Sequence, residues 1–184
     1  MSNSYAQPVL RTADLSESLR IVERLLAIAD TSELEVDFEA LVSSAAYLPT
    51  LEQMLPTAEW WAAGAGGSWG LVDSPPAHSV VRLRSWANPP VLVEPFLEAV
   101  GDSPTIVRWD FTGWPEAPEA GLGRGGTRGA FVTLCAYAND LELEEPAADH
   151  SVFVHVKEID AERGLWLANQ VGLRVLGDLV MAPY

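Results

Sequence analysis

Apolar residues recur at three- and four-residue spacing from Leu15: Leu19, Val22, Leu25, Leu26 and Ala29 follow it, with Glu17, Arg20, Glu23 and Arg24 on the other side. This pattern predicts an amphipathic helix that starts near Asp14. Asp30-Thr31-Ser32-Glu33 breaks it. Asp37 is placed to cap a second helix to about Tyr47, with Phe38, Leu41, Val42 and Ala45 turned inward. Pro49 ends that helix, and Thr50 caps a short third one, Leu51 to Leu55, that stops before Pro56. Residues 1–12 carry no periodicity and predict a flexible tail ahead of one domain over 13–184.

Downstream the period changes to two, the spacing of a strand with one buried face. Val81 and Leu83 alternate with Val80, Arg82, Arg84 and Trp86. Val107, Trp109 and Phe111 alternate with Ile106, Arg108 and Asp110. Ala130, Val132, Leu134 and Ala136 alternate with Phe131, Thr133, Cys135 and Tyr137. Val152, Val154 and Val156 alternate with Ser151, Phe153, His155 and Lys157. Leu92 to Val100 predicts a short helix between the first two of these strands. A second follows Asp160, with Leu165, Ala168 and Gly172 on one side, and Leu173 to Met181 returns as a strand interrupted at Gly177-Asp178.

Two segments lack any period. Residues 60–77, with three tryptophans among glycines and prolines, predict an irregular segment whose rings either close the core edge or meet a ligand. Residues 112–129 are longer than a usual loop and place Arg124 and Arg128 among glycines, either as a solvated connector or as an anion clamp. With helices early and strands late, the fold expected is α+β: N-terminal helices packed on one side of a mostly antiparallel sheet of about 4–6 strands.

Charge changes the picture more than composition does. Twenty-six acidic against 11 basic residues give a formal charge of −15. That balance opposes binding to nucleic acid phosphates and anionic membranes, and favours a basic protein partner. Cys135 is the single cysteine, so no internal disulfide forms. The N-terminal residues lack a basic, apolar secretory leader, and no apolar run reaches the ~20 residues that span a bilayer, so a cytoplasmic location is expected.

No catalytic, metal or cofactor motif emerges. The glycine-rich GAGGSWG lacks the GxxxxGK[ST] pattern, no GxSxG is present, and His150 and His155 fall on opposite faces of one strand. Two constellations remain. The first is acidic: Asp30, Glu33, Glu35, Asp37 and Glu39 in one segment, Asp140, Glu142, Glu144, Glu145 and Asp149 in another. These would mask a basic surface of a partner, as expected of an acidic, non-enzymatic intracellular binding protein of the immunity or antitoxin kind. The second is a basic and aromatic sheet face of Arg82, Arg84, Arg108, Tyr137 and His155, which would hold an anionic small molecule beneath the tryptophan-rich segment. A subunit of a larger assembly is a third possibility, marked by a large apolar patch.

Overall fold

The computed structural model describes residues 4–64, 67–76, 79–128 and 130–182. These form an α+β fold with one antiparallel, open sheet. In chain order the elements are β1 (Ser4–Thr12), α1 (Leu15–Leu26), β2 (Glu35–Val42), α2 (Leu48–Met54), β3 (Glu59–Ala63), β4 (Trp69–Val72), β5 (Val81–Asn88), α3 (Val93–Val100), β6 (Thr105–Phe111), β7 (Ala130–Ala136), β8 (His150–Lys157), α4 (Arg163–Gln170) and β9 (Val180–Met181). The strand order is β4-β3-β5-β2-β6-β7-β8-β1-β9, so the described strands number nine rather than the expected four to six.

The extra strands come from three places where the period is hidden. Residues 4–12, expected as a tail, form β1 and pair along β8; a register shift between Pro8 and Leu10 breaks the alternation. The segment expected to be irregular over 60–77, of which 65, 66 and 77 lie outside the described residues, carries most of β3 and all of β4, paired antiparallel, with Trp60 buried and Trp69 exposed. The expected helix from Asp37 is instead β2. Val36, Phe38, Ala40 and Val42 are all buried, whereas Leu41 lies on the other side, which is the period of a strand.

All four described helices contribute buried side chains to one core on one sheet face. Ile21, Val22 and Leu25 come from α1, Leu51 from α2, Phe96 and Val100 from α3, and Leu167 and Ala168 from α4. Asp14 caps α1 by accepting from the N–H groups of Ser16 and Glu17 at 2.9 and 3.2 Å. Phe96 stacks on Phe38 with ring centroids 4.2 Å apart, which fixes α3 over β2. The helix expected after Asp160 starts later, at Arg163, and buries Gly164, Leu167 and Ala168 while Leu165 is exposed. Gly172, at φ +71°, ends it, and only Val180–Met181 of the last segment pairs as a strand.

Candidate functional site

The sheet face away from the helices is where the two predicted constellations meet. Cross-strand register puts Glu39 of β2 opposite Arg84 of β5 and Asp37 of β2 opposite Arg108 of β6. Glu39 pairs with Arg82 and lies 3.2 Å from Arg84 Nε, while Asp37 pairs with Arg108. Asp37 also accepts the Ala87 N–H at 2.9 Å, and so holds the end of β5 where Ala87 takes a left-handed backbone. The arginines are therefore not an island of positive charge. Two carboxylates of the acidic segment run between the three and pair with each of them, Glu39 being shared by Arg82 and Arg84.

The second acidic segment lies over this face. Leu141 and Leu143 pack on Ile106 and Phe153, forming a small apolar cluster with Cys135 and Ala6. Asp140 organises the turn by accepting the N–H groups of Glu142, Glu144 and Glu145 at 2.7, 3.1 and 2.6 Å. Its carboxylate is thus engaged internally. Glu142 also gives its carbonyl to Arg82 Nη2 at 3.1 Å. The side chains of Glu142, Glu144 and Glu145 remain exposed. Asp149 is half-buried beside His150.

Between the turn and the sheet lies a cleft of about 370 Å³, lined by Asp37, Glu39, Arg84, Trp86, Arg108 and Glu142 among others. Beyond the end of β2 a broader depression of about 780 Å³ is lined by Glu33, Glu35, Asp110, Thr112 and Arg128. Glu35 stands opposite Asp110 in the ladder. Burial pushes the Asp110 carboxyl above its ordinary range; Arg108 opposes this, and Asp37 and Glu35 add to it. Asp30 sits to the side, bridged to Gly113 and accepting the Ser32 N–H at 3.1 Å.

Two members of the expected basic face do not reach its surface. His155 points to this side but is fully buried, with Nε2 2.8 Å from Thr133 Oγ1 and its ring edge-on to Phe131. Burial, then the charge of Arg108, pulls its imidazole down to about 3, so it is neutral at pH 7. Tyr137 has φ +54°, which reverses the alternation of β7. Its ring packs edge-on to His150 and against the helix-side core. Cys135 is wholly buried, and burial raises its thiol above the ordinary range, so it behaves as a packed apolar residue.

The segment 112–128 is tied down. Trp114 Nε1 donates to the His155 carbonyl at 2.8 Å, and Arg163, 0% exposed, donates to the carbonyls of Pro115 and Gly123 and pairs with Asp160. Arg124 is paired with Glu116 on the surface. Asp160, expected to cap a helix, is taken up by Arg163, and the segment expected as a solvated connector or an anion clamp is anchored, with Arg124 paired to Glu116.

Leu141 and Trp86 also line the cleft, although neither belongs to the two constellations expected from the sequence. Leu141 and Leu143 do alternate with acids in a period of two, the one signal that this acidic segment has a face to bury. Among the described residues no group of histidine, cysteine or carboxylate side chains is arranged to hold a metal ion, and no helix is long and apolar enough to cross a membrane. No family model, curated protein or solved structure matches the chain.

Proposed function

We propose that the protein is an acidic, non-enzymatic binding protein that acts in the cytoplasm on a basic surface of a partner protein, in the manner of an immunity or antitoxin inhibitor. One observation carries this. Asp37 and Glu39 pair with the arginines of the sheet face, while Glu142 at the cleft, Glu144 and Glu145 in the turn above it, and Glu33 and Glu35 at the depression beyond β2 stand exposed with no ion pair among the described residues. A surface whose cations are already satisfied and whose excess charge is negative attracts a cationic partner and steers its approach. The same excess repels nucleic acid phosphates and anionic lipid.

A second reading rests on the cleft itself. Its volume lies within the range of small-molecule sites, and Arg84, Arg108 and Trp86 would meet an anionic, planar ligand there. The competing carboxylates of Asp37 and Glu39 weaken it. The experiment compares the wild-type protein with a variant carrying glutamine at Glu33, Glu35, Glu142, Glu144 and Glu145. Immobilised wild type is expected to retain basic proteins from cell extract in a salt-sensitive manner, and the variant to lose them. Equal retention by both, or none by either, overturns the electrostatic reading. Thermal stabilisation by anionic metabolites, lost on Arg84→Ala, would favour the second.

A further inference from the structure

The helix face holds a groove that no part of the described chain fills. Helix α1 packs on β7 and β8 and α3 on β2, so the seam between the two helices falls over the central strand β6. Trp109 of β6 lies at its floor. Two cavities, of about 300 and 400 Å³, run along this seam and share Leu19 and Glu94 in their walls.

The α1 wall explains an excess in the sequence. Helix α1 buries Ser18, Ile21, Val22 and Leu25, which is enough to seat a helix on a sheet. Yet Leu15, Leu19 and Leu26 are also apolar, are only half-buried, and line the seam with Val22. Their offsets of four, seven and eleven residues from Leu15 make a second stripe along the helix axis, beside the first. Val91, 77% exposed, continues the apolar wall across the gap. The charged residues lining both cavities are Glu23, Glu94, Glu98 and Asp102, one on α1 and three on or just after α3. Both rims are therefore acidic, around an apolar floor.

We infer that this groove receives an amphipathic helix of a partner protein, apolar on the face that meets Leu19 and Trp109 and rich in lysine or arginine along its flanks. A helix-in-groove contact of this kind needs apolar anchors at helical spacing and opposite charge at the rims, and the seam supplies both. Charge selects the occupant. A second copy of this chain, itself at −15, would bring its own carboxylates against Glu94 and Glu98. The site lies on the opposite side of the sheet from the acidic cleft, so it stands apart from the function proposed above.

The test uses a synthetic peptide of about 16 residues, leucine at i, i+3, i+4 and i+7 positions and lysine elsewhere, against a scrambled peptide of identical composition. The 184-residue chain should bind the amphipathic peptide roughly ten-fold or more tightly than the scrambled one, with the Trp109 indole resonance shifted. Leu19→Glu should weaken binding by roughly ten-fold although it adds negative charge, and Val91→Glu, at a site too exposed to endanger the fold, should weaken it by a smaller factor. The five-glutamine variant of the acidic cleft should bind as wild type does, which separates failure here from failure of the proposed function. Equal affinity for both peptides, or insensitivity to both groove substitutions, overturns the inference. So does a concentration-dependent dimer in sedimentation that Val91→Glu abolishes, which would give the groove to a second copy.

Discussion

Asp37 on β2 faces Arg108 on β6 across the ladder and pairs with its guanidinium, which in turn lies 5.1 Å above the Phe131 ring. The same carboxylate holds the Ala87 N–H, so one side chain ties Arg108 of the sheet face to the end of β5. Asp37→Ala removes both bonds. Hydrogen bonds to charged groups contribute about 1.5–3 kcal/mol, and the pair here is mostly buried, so a loss of stability of that order is expected in urea denaturation. The variant should also gain affinity for multivalent anions such as pyrophosphate, because the sheet face loses one of the carboxylates beside Arg108. A variant as stable as wild type and still indifferent to anions would mean that Asp37 is a bystander.

Arg163 is the only charged side chain among the described residues with no exposure, and it gathers Asp160 and the carbonyls of Pro115 and Gly123. Arg163→Leu would leave a half-buried carboxylate and two carbonyls without their donor. Breaking such an arrangement costs about 3–5 kcal/mol. For a chain of this size that corresponds to a fall in Tm of roughly 6–20 °C. Trypsin should then cut faster at Arg124 and Arg128, since residues 112–128 lose their anchor. Gly126→Ala should act in the same direction, as a Cβ there would collide with the Asp160 side chain.

The sequence shows the arginine face and hides what neutralises it, and both follow from strand parity. The registers of β5 before Ala87 and of β6, β7 and β8 run without a shift, so Arg82, Arg84, Arg108 and His155 fall on the side away from the helices. In β2, Phe38, Leu41 and Val42 also satisfy helical spacing, and only the burial of Val36 and Ala40 decides for a strand. Taken as a helix, that segment cannot bring Asp37 and Glu39 between the arginines. Tyr137 fails for a different reason. Its left-handed backbone ends the pleat of β7 and turns the ring to the helix side, a change that no period records. Pro8 conceals β1 in the same way, because the irregularity beside it shifts every later side chain by one place.

Asp110 opposite Glu35 makes a local excess of negative charge, and burial raises the Asp110 carboxyl above its ordinary range. A raised carboxyl holds its proton longer in the folded than in the unfolded chain. Its contribution therefore favours folding below the raised value and is lost as pH climbs through it. At pH 7 the charge is a burden, and Asp110→Asn should raise Tm by up to about 3 °C, the range of a partly screened surface change. The gain should shrink as pH falls through the raised value and the Asp110 carboxyl takes up its proton. A variant less stable than wild type at pH 7 would show instead that Asp110 is needed by Arg108.

His155 gives the opposite dependence. It is fully buried beside Thr133, and its imidazole is held down to about 3, whereas a histidine in the unfolded chain takes its proton near 6.5. As pH falls below that value the unfolded state binds a proton that the folded state refuses. Stability then declines by up to about 1.4 kcal/mol per pH unit until the folded value is reached. His155→Gln keeps a partner for the Thr133 hydroxyl but cannot titrate. It should be less stable than wild type at pH 7, through imperfect packing against Phe131, and should lose less stability between pH 6.5 and pH 4.5. Urea midpoints across that interval measure the difference, and parallel curves for the two proteins would place the proton uptake elsewhere.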